Sequence, residues 1–177
     1  GKAWTLLPWS LVSDSSVARS MNLEAAFLGA VTVVLAFVLL RMVVQCRTAA
    51  LCGASILGVS PTFWSYSLVA SPYSLNMVFV FSLLILAVRW ARVKQDHLLL
   101  VIAGLSGIGL GNHASLLVMA VPIAIIVLSS DLSLLRSRRR LIAPVLVFAV
   151  TLAGVYAYIP LRSLTIFSGE EIIGQPV

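Results

Sequence analysis

The residues of this chain best suited to chemistry are few, and they sit where long apolar runs are interrupted. Asn112 and His113 close a Gly-rich break, Gly109-Leu110-Gly111-Asn112-His113, between two apolar stretches. An imidazole there can hold an anion when protonated or shuttle a proton. An ionisable group near membrane depth is costly, which makes it a functional candidate. The bland alternative is a neutral histidine hydrogen-bonded to a neighbouring helix. Arg19, beside Asn22 and Glu24, and Arg162 each carry a planar fork of donors that matches phosphate. Arg19 also reads as an interfacial anchor paired with Glu24. Tyr73 and Asn76 lie one helical turn apart and can face one cavity, although Asn76 also suits a helix–helix hydrogen bond. Signatures of soluble enzymes are missing: there is no phosphate-binding Gly-rich loop, HExxH helix or nucleophile elbow. The glycines at 107, 109 and 111 lack the βαβ context of a dinucleotide fingerprint.

The elements that must position these residues are apolar helices. The chain has 177 residues, of which 60% are hydrophobic, and a mean hydropathy of +1.08, too apolar for an ordinary soluble domain. With about 20 apolar residues per crossing, roughly six transmembrane helices fit. The first is expected over 24–44. The second covers 49–68, where Pro61 should kink it, and the third covers 73–90. The stretch 98–128 is too long for one crossing of a core about 30 Å thick, and a break at 109–113 makes it two short helices. The last spans 141–158 and exits at Pro160-Leu161-Arg162. Nine of the twelve basic residues fall in three short connections: Arg41 and Arg47; Arg89, Arg92 and Lys94; Arg136, Arg138, Arg139 and Arg140. Such loops stay on the cytoplasmic side. Parity then requires an even number of crossings between the second and third clusters, and the break at His113 opens toward the exterior. The break must face protein or a wet cavity rather than lipid.

The expected fold class is therefore all-α, a polytopic integral membrane protein. Net charge is +6, but the basic residues are scattered between apolar spans, so topology explains them and no nucleic acid is expected. Cys46 and Cys52 are expected as free thiols rather than a disulfide or metal site. The chain begins at Gly1 and stops soon after its last apolar span, so residues 1–177 read as a single transmembrane domain from a longer protein.

In order along the chain, Leu6-Leu7-Pro8, Arg19-x-x-Asn22-Leu23, Ser60-x-Thr62-Phe63-Trp64-Ser65, Tyr73-x-Leu75-Asn76, Gly109-Leu110-Gly111-Asn112-His113 and Tyr158-x-Pro160-Leu161-Arg162 resemble one family. It is the domain-of-unknown-function family 2723, transmembrane protein 260-like, which is similar to the GT-C class of membrane glycosyltransferases and includes a protein O-mannosyltransferase. The resemblance implies a partial GT-C-like bundle, with the first helix and first outer loop expected before Gly1. That loop would carry the acidic catalytic base. The family often has a glutamate before the third span, where this chain has Ser71-Pro72, so a second acidic role there is in doubt.

The implied reaction is inverting transfer of a sugar from a polyprenyl- or dolichyl-phosphate donor to a protein or glycan acceptor. It would take place on the luminal or periplasmic side, in the endoplasmic reticulum membrane of a eukaryote or the inner membrane of a bacterium. Arg19, His113 and Arg162 would hold the donor phosphate, and Tyr73, Asn76 and Asn112 would orient the sugar or lipid. No metal or cofactor is expected in these residues. The rival readings are a transporter or flippase, since short broken helices also build carrier sites, and a noncatalytic membrane scaffold.

Overall fold

In the computed structural model, every regular element is helical; the backbone is described for residues 17–69 and 71–173, and side chains for 21–69, 71–138 and 140–158. The α-helices among the described residues are α1 (Val17–Val44), α2 (Arg47–Val59), α3 (Pro61–Leu68), α4 (Pro72–Val93), α5 (Asp96–Asn112), α6 (Ala120–Ser130) and α7 (Arg138–Ile173). Two 3-10 segments, Ala114–Met119 and Leu132–Arg136, lead into α6 and α7. Three segments are long and apolar enough to cross a bilayer: Met21–Val44, Pro72–Val93 and Arg140–Tyr158. Three shorter apolar segments accompany them, Arg47–Val59, Asp96–Asn112 and Ala114–Ser130.

The breaks follow local chemistry. Proline pushes the residue before it out of the helical region and is well placed at a helix start. Ser60 is accordingly extended, and Pro61 begins α3. The stretch 49–68, expected as one kinked helix, is therefore two helices. Ser71-Pro72 repeats the device at the start of α4. At the other end, α7 overruns its expected limit near 158 and continues to Ile173. Pro160 removes one backbone bond without ending the helix, a tolerance common in apolar helices.

The chain runs back and forth between two ends of the bundle. At one end lie all three basic connections. Arg92 donates to the main-chain oxygen of Met42 and so ties the end of α4 to the end of α1. Arg140, at the start of α7, donates through Nε and Nη2 to Asp96 of α5, with Nη2···Oδ1 at 2.6 Å. Its Nη1 reaches Asp131 at 3.1 Å. Two tight reversals at this end place Gln45 and Lys94 in the left-handed region, with φ of 59° and 56°. The Lys94 ammonium rests 4.6 Å from the centre of the buried Trp90 ring.

The core is made by α4 against α5 and α6. Leu83, Ala87 and Trp90 meet Leu98, Leu99 and Ile102, with Leu116, Val127 and Leu134 filling the same cluster. Helix α5 packs most extensively on α7. This approach depends on glycine. A methyl group at Gly107 would collide with the Thr151 hydroxyl and lie 2.9 Å from the Phe148 carbonyl oxygen. One at Gly111 would collide with Val155. Small residues at i and i+4 let apolar helices come together closely.

Gly107→Ala is expected to destabilise. Overpacking costs about 1–3 kcal/mol against a helix-propensity gain of about 1 kcal/mol. Gly154→Ala, where nothing lies within 4 Å, should instead raise the melting temperature in detergent. A second test uses pH. The Ser133 hydroxyl, and then Arg140, hold the Asp131 carboxyl below the ordinary carboxylate range. Its contribution is present above about pH 4 and is lost as pH falls through the depressed value. Asp131→Asn should lower the melting temperature at neutral pH, and the gap to wild type should close on acidification.

Candidate functional site

The end of the bundle opposite the basic connections collects polar and aromatic side chains from α3, α4, α5 and the 3-10 segment. Its centre is His113, whose extended backbone (φ −156°, ψ 127°) separates α5 from Ala114–Met119. The break leaves backbone groups that a continuous helix would have satisfied, and side chains take over. The main-chain N–H of Ser115 donates to His113 Nδ1 at 3.2 Å. The Ser115 Oγ lies 2.7 Å from the same nitrogen and accepts from Asn76 Nδ2 at 3.3 Å. Because a main-chain N–H can only donate, Nδ1 is the acceptor in this arrangement. The Ser115 hydroxyl then donates its hydrogen bond to Nδ1, and in the neutral ring the N–H is on Nε2. Asn112 Nδ2 donates to the Pro72 carbonyl oxygen at 3.1 Å, tying the end of α5 to the start of α4.

Aromatic rings extend the site. Tyr73 lies 5.2 Å from His113, centre to centre, and 5.2 Å from Tyr66 in an edge-on contact. Both separations are in the range for favourable ring pairs. The Ser74 hydroxyl donates to the Tyr66 carbonyl oxygen and holds α3 against α4. Beside these rings, a cleft of about 420 Å³ runs between α2, α3 and α4, with Ser60, Thr62 and Tyr66 among its lining. A second cleft, of about 250 Å³, opens on the other side of α4 toward Glu24 and Asn112. A third, about 400 Å³ and almost wholly apolar, runs between α5, α6 and α7 past Ile102, Ala103, Ile123 and Phe148.

Of the residues expected from sequence to form a site, Tyr73, Asn76, Asn112 and His113 come together here. Asn76 is buried, with its Oδ1 lacking a partner among the described residues. Its bond to Ser115 makes it a helix–helix contact as well as a support for His113. The side chains of Arg19, on α1, and Arg162, on α7, lie outside the described residues. Sequence reasoning missed Ser115, Ser71 and the role of Tyr66. Ser115 carried a weak signal, a hydroxyl two residues after a helix-ending histidine, which is cap spacing. No group of three or more His, Cys, Asp or Glu side chains is placed to hold a metal among the described residues. Cys46 and Cys52 are free.

An all-helical bundle with three apolar helices of bilayer length is the architecture of a membrane-associated protein. The chain belongs to the family described as the protein O-mannosyl-transferase TMEM260 N-terminal domain, which matches residues 1–135. That range includes α1 to α6 and the His113 site, whereas Arg162 lies beyond it. No curated protein and no solved structure matches the chain significantly.

The hydrogen bonds around His113 make a direct prediction. In 15N-resolved spectra of the neutral ring, Nδ1 should resonate as an unprotonated acceptor and Nε2 as N–H. Ser115→Ala removes the hydroxyl but keeps the main-chain N–H, so it should keep this tautomer, as should Ser115→Thr; a ring protonated on Nδ1 in either variant would show that the main-chain bond does not set it.

Proposed function

We propose that this chain forms the donor-binding part of a membrane glycosyltransferase, moving a sugar from a polyprenyl- or dolichyl-phosphate carrier to a protein or glycan acceptor. The observation that carries this reading is the gathering of His113, Asn112, Asn76 and Tyr73 at the end of the bundle remote from the basic connections, in a chain of a protein O-mannosyl-transferase family. If the basic end is cytoplasmic, as the charge rule expects, this site faces the lumen or periplasm. Six crossings then follow: α1, α2 with α3, α4, α5, the 3-10 segment with α6, and α7. The fourth and the fifth are short, at about 26 Å for α5 and about 28 Å for the 3-10 segment with α6, and would bring the polar break below the headgroup level. The endoplasmic reticulum membrane or a bacterial inner membrane would be the setting.

In this mechanism an outer-face carboxylate, supplied outside the residues matched to roles here, deprotonates the acceptor hydroxyl. The lipid phosphate departs with its charge held by fixed donors. His113 presents Nε2–H to a phosphate oxygen, with Nδ1 occupied by Ser115. Arg19 and Arg162 add their guanidinium groups, and Tyr73, Asn76 and Asn112 orient the sugar or lipid. The apolar cleft between α5, α6 and α7 suits a lipid chain, because its walls offer contact without unsatisfied polar groups.

A hydrogen bond to a charged group is worth about 1.5–3 kcal/mol, and each 1.36 kcal/mol is about tenfold in rate. His113→Ala or Arg162→Ala in the full-length protein should therefore lower sugar transfer from a dolichyl-phosphate donor at least about tenfold. Wild-type turnover by a well-folded variant removes that residue from the site.

A further inference from the structure

The cleft of about 250 Å³ between α1, α4 and the end of α5 is separate from the hydrogen bonds that hold His113, and its lining has a distinct chemistry. Its polar groups are Glu24 of α1, Ser71 before α4 and Asn112 of α5; Ala25, Leu28 and Leu75 supply apolar walls. Ser71 stands at the helix-start position where a serine hydroxyl normally accepts a main-chain N–H. Here it makes no such bond, and its Oγ is buried with no hydrogen-bond partner among the described residues. Asn112 spends one N–H on Pro72, which leaves its amide oxygen as an acceptor and its second N–H as a donor. Glu24 is half-buried although it carries a carboxylate, an expensive place for a charge that has no task.

We infer that Glu24, Ser71 and Asn112 form a subsite for a sugar ring. The proposal rests on the glycosyltransferase reading and names the part of the donor that this cleft would take. All three polar groups can accept hydrogen bonds, and one of them is a carboxylate, so the cleft repels a phosphate and favours hydroxyl donors. A bare lipid chain would leave the Ser71 hydroxyl unsatisfied. A polyol with an apolar C–H face meets both halves of the lining: its hydroxyls reach Glu24, Ser71 and Asn112, and its C–H face lies on Leu28 and Leu75. The volume is below the roughly 300–1,000 Å³ of pockets for larger ligands, which matches one ring rather than an oligosaccharide. Asn112 lines this cleft and is the residue before His113.

The test is equilibrium binding of dolichyl-phosphate mannose and of dolichyl phosphate to the full-length protein in lipid nanodiscs. Wild type should prefer the mannosyl form at least about tenfold, since every tenfold needs only one or two good hydrogen bonds. Glu24→Gln and Ser71→Ala should reduce that preference several-fold and leave the Kd for dolichyl phosphate unchanged, which also shows that the variants are folded. A wild-type protein without the preference overturns the assignment, and so do variants that keep it. Variants that lose dolichyl phosphate as well overturn it too, because the residues then serve the phosphate or the fold. Turnover, measured separately, tests the transferase reading: a sugar preference without turnover leaves the subsite standing and removes catalysis.

Discussion

A helix that stops among apolar neighbours must find partners for the backbone groups it exposes, because lipid and hydrocarbon side chains offer none. The end of α5 is that case, and much of the polar structure answers to it. His113 Nδ1 accepts a hydrogen bond from the Ser115 main-chain N–H, Asn76 reaches across from α4 to Ser115, and Asn112 donates to the carbonyl oxygen of Pro72. The first of these satisfies a main-chain N–H at the break, and the other two bind α4 to the 3-10 segment and to α5. Support and site are thus the same set of side chains. A neutral histidine satisfied by its neighbours, and a histidine offering one fixed donor, are not rival descriptions here: the bonds to Nδ1 are what leave Nε2 as the donor.

The opposite end is held by charge. Arg140 bridges Asp96 and Asp131, and Arg92 reaches the last turn of α1. Exposed ion pairs contribute little singly, but Arg140 joins two carboxylates on separate elements and fixes how α7 leaves the bundle. Between the ends, Gly107 and Gly111 let α5 settle against Thr151 and Val155 of α7. Together these contacts set the position of α5 along the bundle, and with it that of His113.

Much of the architecture was legible from the chain. Pro72 and the Gly-rich run at 109–113 mark places where helices stop, since each acts on its own backbone; Pro61, expected to kink one helix, in fact divides it in two. Asn112 and His113 stood out because polar residues in an apolar run need a reason. The overrun of α7 past Pro160 was not legible: a proline weakens a helix locally, and whether the helix survives depends on its surroundings. Ser115, Ser71 and Tyr66 were missed because serine and tyrosine are unremarkable beside apolar runs. Their importance comes from partners far away in sequence, such as Asn76 for Ser115.

The sequence by itself determined that the chain is helical, that the 98–128 stretch breaks at 109–113, and that nine of the twelve basic residues gather in three connections. All of these follow from hydropathy and from residues acting on their immediate neighbours. Only the tertiary structure decided which polar side chains meet, which nitrogen of His113 accepts, and that Glu24 shares a cleft with Ser71 and Asn112. The reason is that these helices are apolar over most of their circumference. Such a surface carries no stripe that says which face turns inward, so the rotation of each helix is set by the shapes and hydrogen bonds it meets on its neighbours.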